Sequence, residues 1–235
     1  MRDWVADYQV LSPVGDESDA RTFVARAPGR LDRDRRRVAV SLLGAGRAVF
    51  EAAAARLGAV AAASAPGVVK IWEVGRDVDG EAYVSTDYCG DGSLAEGPPG
   101  DRSVLKVVAA AARGAHQLHE AGVAHGDIRP ATVLRSSGAG LLAAPTALAR
   151  AEPGQSAVAA PAYRLASQDP AVVRGDPPSR ASDLWSLAVT AHFALTGRWV
   201  HPGIEGADAL TAVQRILFEP PVTDPALAAG DEAVI

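Results

Sequence analysis

Short runs of alternating apolar and polar residues fill the first third of the chain. Tyr8 to Val14, Thr22 to Ala27 and Arg37 to Leu43 are β-type runs carrying Val, Leu and Phe, and they predict an antiparallel meander. Between the second and third lies Pro28 to Arg36, whose Arg-Leu-Asp-Arg-Asp-Arg-Arg cluster reads as a solvated loop with no anion site, since mixed charge runs face water. From Arg47 to Ala63 the pattern turns Ala-rich, with Phe50, Leu57 and Val60 near helical spacing, and the breaker Ser64-Ala65-Pro66-Gly67 ends it. One helix is predicted there. Val68 to Val74 and Glu81 to Tyr88 then flank Asp77-Val78-Asp79-Gly80, a stretch with turn chemistry, and predict a hairpin.

Beyond Cys89-Gly90-Asp91-Gly92-Ser93 the strand patterns give way to helical ones, which places a boundary between two halves of the chain. Arg102 to Ala121 predicts an amphipathic helix, with Val104, Leu105, Val108, Ala111, Ala115 and Leu118 at mostly three- and four-residue steps. Val123 to Leu142 holds short apolar pieces around His125-Gly126-Asp127, and Ala143 to Pro178 reads as loop. Leu184 to Leu195 is almost wholly apolar, which predicts a helix buried on all sides and ended by Gly197.

A chain of 235 residues suffices for a buried core. Its 28 acidic against 23 basic side chains, a formal charge of -5, lack the electrostatic footprint of a binder of nucleic acid or anionic lipid. The single Cys89 excludes an internal disulfide and a multi-cysteine zinc site, which fits a reducing compartment; the cytoplasm is the expected location. Met1-Arg2-Asp3-Trp4 opens no apolar signal region, and no 18 uninterrupted apolar residues occur, so neither signal peptide nor membrane span is expected. Lys70 and Lys106 are the only lysines, and the chain has no asparagine. Both facts limit the chemistry of the motifs.

Leu118-His119-Glu120-Ala121-Gly122-Val123-Ala124-His125-Gly126-Asp127-Ile128-Arg129-Pro130 resembles the catalytic loop, with the helix end before it, of bacterial-type serine/threonine protein kinases. Ser182-Asp183-Leu184-Trp185-Ser186-Leu187 through Leu195-Thr196-Gly197 resembles the central helix of that family's C-lobe. The resemblance covers nearly the whole chain. It implies an α+β, two-lobed fold with a β-rich N-lobe carrying one helix (residues 1–88) and a mainly helical C-lobe (residues 89–235), the last helices of the family being missing.

Kinase chemistry is mostly positioning and electrostatics, so each charged part of the family's site has a physical task. The glycine-rich loop matches Val14-Gly15-Asp16-Glu17-Ser18-Asp19-Ala20-Arg21-Thr22, which keeps Gly15 and has Glu17 and Ala20 in place of the other glycines. Its carboxylates oppose phosphate: two unit charges about 4 Å apart interact by about 4 kcal/mol at an effective dielectric of 20. Ser41 stands in the position of the phosphate-contacting lysine. The partner glutamate position falls near Arg56, or on Glu51 after a register slip, and Arg21 is the best substitute cation. Magnesium wants oxygen ligands, yet Thr132 stands at the asparagine position and Pro145, or Ala144, where the family's second aspartate belongs.

Asp127 matches the catalytic base and Arg129 the lysine after it. Asp127 reads either as a residual proton acceptor or as an acceptor that organises the loop. His125 is expected in the core and Asp183 as a structural acceptor of loop amides. Ser167 takes the position of a glutamate that in the family forms a buried ion pair.

The resemblance with these departures implies a pseudokinase: no enzyme, no cofactor, and a regulatory or scaffolding role through contact with another protein, such as an active kinase or a phosphopeptide-binding domain. Expected contact surfaces are the loop from Thr146 to Ala160, where Thr146 and Ser156 are candidate phosphate acceptors, and the pair Trp199 and Val200 if exposed. The alternatives are an atypical kinase with unusual nucleotide use and a small-molecule phosphotransferase. The latter arises because His125-Gly126-Asp127 also resembles the His-Gly-Asp of aminoglycoside-type phosphotransferases, which need an Asn and a further Asp that this chain lacks.

Overall fold

The alternation in the first third sends side chains to two different places. The structure, a computed structural model, describes residues 2–14, 21–43, 47–97, 103–136, 139–145 and 162–228. Strands β1 (Trp4–Val5), β2 (Tyr8–Pro13), β3 (Thr22–Arg26) and β4 (Arg37–Leu42) form the antiparallel meander. Strands β5 (Ile71–Arg76) and β6 (Ala82–Asp87) form the hairpin and join through β6, giving the order β1-β2-β3-β4-β6-β5. Phe23, Ala25, Val38, Val40, Leu42 and Tyr83 pack with Val5 and Tyr8 on one face.

That cluster draws on both ends of the sheet, so the sheet is curled. Tyr8 of β2 donates its hydroxyl to Glu73 Oε2 of the edge strand β5 at 2.7 Å and meets Ser85 Oγ at 2.8 Å. Arg30 closes the same corner, binding Asp7 at 2.6 and 2.9 Å and Glu73 at 2.8 Å. Burial works against the Glu73 carboxylate, but the bonds from Arg30 and Tyr8 outweigh it and hold the group below its ordinary range. Burial, with the Glu73 charge nearby, pushes the Tyr83 hydroxyl up to about 12.

The other face carries Ala82 and Val84. With Leu43 they pack on Leu57 of helix α1 (Arg47–Ala63), on Ala144, and on half-buried Leu134 and Leu141 of a second hairpin, β7 (Val133–Ser136) and β8 (Ala139–Leu142). Helix α2 (Val104–Glu120) buries Val104, Ala111, Ala115 and Leu118 of the expected stripe, but Val107 is buried in place of Leu105, which is 46% exposed, and Val108 is half-buried. Backbone meets backbone where α1 hands over to β5: a Cβ on Gly67 would lie 2.5 Å from Gly114 Cα, and one on Gly114 would strike the Gly67 carbonyl. Leu142 N donates to Gly67 O at 2.9 Å, and Val69 N to Leu142 O at 2.9 Å, which ties the first sheet to the second hairpin.

The region read as loop from Ala143 to Pro178 contains two short helices, α3 (Ala162–Leu165) and α4 (Pro170–Val173); residues 146–161 lie outside the described residues. Asp169 starts α4 by accepting from Ala171 N at 2.7 Å, a local cap that a scan for long periodicity overlooks. Helix α5 (Arg180–Thr196) begins with a capping box between Ser179 and Ser182 and ends on Gly197 at φ 70°. It is not buried on all sides: Leu184 is 55% exposed, while Ser182, Asp183, Ser186, Thr190 and His192 are buried. Leu187, Val189 and Ala194 are buried on the same helix, so its inner face mixes apolar and polar residues. Helix α6 (Ala209–Phe218), capped by Asp208 accepting from Thr211 N at 3.0 Å, and α7 (Pro225–Ala228) follow. Trp199 stacks on Phe193 at 4.2 Å between ring centroids, and Val200 is only 5% exposed. Val200 is therefore withdrawn from the surface, while Trp199 is half-buried against Phe193.

Two tests follow from the packing. Gly114→Ala is expected to lower stability by roughly 2–3 kcal/mol, because backbone atoms must move. Gly58→Ala, in α1 with open space around the added methyl, is expected to raise it by about 0.5–1 kcal/mol; urea unfolding with unchanged m-values checks both. His201 is 2% exposed with neither ring nitrogen hydrogen-bonded. Burial lowers its pKa below the ordinary histidine value, against the opposing field of Glu219. The unfolded chain therefore takes up a proton that the folded chain resists. This contribution to stability is complete above about pH 6.5 and lost as pH falls below it. Urea midpoints at pH 7.5 and 5.5 should differ less in His201→Leu than in the parent.

Candidate functional site

The turn between α2 and β7 hangs on one carboxylate. Asp183 lies in the first turn of α5 and is 1% exposed. Its Oδ2 accepts from His125 N at 2.7 Å and from His119 Nε2 at 2.7 Å, and its Oδ1 accepts from Gly126 N at 2.8 Å. Gly126 sits at φ 73°, a left-handed conformation that lets two successive amides converge on the same acid. His119 went unnoticed in the sequence. It reads there as an ordinary residue of the last helical turn, and only the crossing of α2 over α5 brings it to Asp183.

His125 is fully buried and joins the turn to the segment after β8. Its Nε2 donates to Ala143 O at 2.7 Å, and its Nδ1 accepts from Asp127 N at 3.2 Å. One nitrogen donates and the other accepts, so the ring is satisfied in its neutral form. Asp127 is 5% exposed; its Oδ1 accepts from Arg129 Nε at 3.1 Å, and its Oδ2 has no partner among the described residues. Thr132 donates its hydroxyl to Asp127 O at 2.6 Å and accepts from Arg129 N at 3.0 Å. Ala144 is 4% exposed in the apolar cluster under the sheet, and Pro145 is buried beside it.

The structure thus gathers His119, His125, Asp127, Arg129, Thr132 and Asp183 into one bonded network. Other candidate positions lie apart. Ser41 is half-buried on β4, its Oγ 2.9 Å from Thr22 Oγ1. Arg56 and Glu51 are both exposed on α1, and neither forms an ion pair among the described residues. Arg21 faces Glu81 at 3.9 Å. Lys70 sits with its Nζ 3.8 Å from the Trp72 ring centroid. Ser167 is 1% exposed, and its hydroxyl has no partner among the described residues. Gly15, Glu17 and Ala20, and the loop with Thr146 and Ser156, lie outside the described residues.

With the network in place, sequence comparison becomes informative. No family model matches the chain. Similarity to a curated protein makes the chain kinase-like, at a distance. That protein is the serine/threonine-protein kinase PknK of Mycobacterium tuberculosis, in strains CDC 1551 / Oshkosh and ATCC 25618 / H37Rv, 27% identical over 161 residues. The aligned stretch takes in 66% of this chain but only 14% of that kinase.

Asp183→Ala is expected to strand three buried donors and cost about 3 kcal/mol or more. His119→Phe leaves the two amide bonds and is expected to cost about 1–2 kcal/mol. Denaturant midpoints of the two variants check the order, and an equal or inverted order contradicts the arrangement.

Proposed function

We propose that the chain is a two-lobed, protein-kinase-like domain, with residues 1–88 and 89–235 as its lobes, that has given up phosphotransfer and works as a regulatory or scaffolding interaction module. The observation that carries this reading is the state of the two metal positions. Thr132 spends its hydroxyl proton on Asp127 O and its lone pair on Arg129 N, and Ala144 and Pro145 offer no side-chain oxygen. Such groups do not fit magnesium, a hard cation held by anionic or amide oxygens. At the lysine position the Ser41 hydroxyl is engaged with Thr22 and carries no charge. No step of catalysis is therefore built on a bound metal–nucleotide.

A second reading, a kinase with unusual nucleotide use, is favoured by one atom. Asp127 Oδ2 is buried, unpartnered and chemically able to take a hydroxyl proton. The partner in the first reading is another protein, with an active kinase or a phosphopeptide-binding domain as the classes to seek.

Thermal unfolding with ATP and ADP is expected to show no stabilisation that magnesium or manganese enhances, although a ligand at about 100 times its dissociation constant adds about 2.7 kcal/mol. A saturable, magnesium-enhanced gain, together with phosphotransfer that Asp127→Asn abolishes without loss of stability, selects the second reading. Crosslinking in extract of the native host is expected to capture a kinase or phosphopeptide-binding domain. Absence of any specific partner overturns the interaction role.

A further inference from the structure

We propose that Arg26 and Arg37, opposed across β3 and β4, hold the phosphate group of a ligand at the outer end of the sheet face that carries Ser41. The strand register places them. Thr22 pairs with Ser41, Val24 with Ala39 and Arg26 with Arg37, while the intervening Phe23–Val40 and Ala25–Val38 pairs point into the closed apolar interior. Across the next strand pair, Ala39 is opposite Thr86 and Ser41 is opposite Val84. Val84 packs with Ala144, Leu134 and Leu141, so this face looks toward the second hairpin. Arg26 and Arg37 thus share a face with the position that in kinases holds lysine. They sit four residues, roughly 13 Å, further out along the strand.

The pair is electrostatically incomplete. Residues directly opposite in an antiparallel ladder have Cβ atoms about 5 Å apart, and like charges there are destabilising. Neither arginine side chain forms an ion pair or hydrogen bond among the described residues, and both residues are exposed. Of the nearby acids, Asp32 holds Arg36, Asp7 and Glu73 hold Arg30, and Asp87 accepts from Trp72 Nε1 at 2.7 Å, while Asp34 is exposed and its charge, like that of Asp87, acts on Arg36. At the same end, but on the opposite face of the sheet, Lys70 and Arg36 lie over the Trp72 ring. All this occurs in a chain of net charge -5. A tetrahedral dianion matches two adjacent guanidinium forks in charge and in hydrogen-bond geometry. Inward of the pair, the face is floored by Val24, Ala39, Thr22 and Ser41, short side chains with no charge to draw the phosphate deeper.

The shared chemistry is a phosphate dianion, supplied either as free phosphate or as the monoester of a small molecule. Thermal unfolding without metal, using inorganic phosphate and adenosine 5′-monophosphate as probes and acetate at equal ionic strength as control, tests it. Each phosphate probe at about ten times its dissociation constant is expected to raise Tm by roughly 3–6 °C. Acetate is expected to do nothing. A tighter fit of the monophosphate than of phosphate identifies the monoester as the source, and equal fits identify free phosphate. Arg26→Gln and Arg37→Gln should each weaken binding about tenfold. The ligand-free variants should melt at or above the parent temperature, because repulsion is relieved. Arg113→Gln, the same charge change on exposed α2, should leave binding unchanged. If the parent shows no phosphate-dependent shift, or the two variants keep it, the assignment is wrong; because no metal is present, this result is separate from the outcome for metal–nucleotide binding.

Discussion

The rest of the site depends on a single buried acid satisfied entirely by nitrogen donors. Asp183 is carried by α5, while its three donors come from the end of α2 and from the turn at His125 and Gly126. A carboxylate stripped of water costs several kcal/mol unless hydrogen bonds replace its hydration, and three short bonds do so here. Because donors and acceptor belong to different elements, the network cannot form until α2 and α5 have packed. Once formed, it fixes the backbone of residues 125 and 126. His125 carries that constraint onward through Ala143, and Thr132 passes it back along the turn to Asp127. The position of Asp127 is thus an end product of helix packing.

A second constraint sets how the first sheet meets the helices. Gly67 and Gly114 approach so closely that neither tolerates a side chain, and Leu142 bonds on both sides of Val68 through the amide of Val69 and the carbonyl of Gly67. The contact is backbone on backbone, so it offers few alternative packings. It holds the Ala82–Val84 face of the curled sheet over Leu134, Leu141 and Ala144, and thereby decides which face of β4 looks toward the Asp127 turn.

Much of this architecture was legible in local pattern. The bounds of α1, most of the stripe on α2, the meander and the Gly197 stop follow from periodicity and from residues with one backbone preference; on α2 the stripe was misplaced at Leu105, where Val107 is the buried residue. The misreadings share a cause. The apolar run from Leu184 to Leu195 suggested burial on every side, yet Leu184 faces solvent while Asp183 is buried against donors that come from elsewhere in the chain. His119 carried no local signal for the same reason. Helices α3, α4 and α6 were missed because each is short, although Asp169 and Asp208 are recognisable caps. Of the pair Trp199 and Val200, named as a surface only if exposed, Val200 is buried and Trp199 is half-covered by its stack on Phe193, a contact between residues six apart that hydrophobicity alone does not reveal.

Where polar groups are satisfied and where they are not separates scaffold from capacity. In the Asp183 network every donor has its acceptor within the chain, so its geometry needs no ligand. A site built to take up an ion or a proton must instead keep unfilled valence, at a cost that packing elsewhere offsets. By that criterion Thr132 is closed, its hydroxyl used in both directions, and Ser41 is held by Thr22. Besides groups such as the Ser167 hydroxyl and the His201 ring, two places stay open here among the described residues: the second oxygen of Asp127, whose carboxylate meets Arg129 only through the first, and the Arg26–Arg37 pair, whose charges face each other. One is an acceptor inside and the other a pair of donors outside, on elements that the Gly67–Gly114 contact holds in fixed relation. Both differ in kind from Thr132 and Ser41, whose hydroxyls are already engaged within the fold, and a ligand or a proton would meet unfilled capacity there without first breaking a bond of the scaffold.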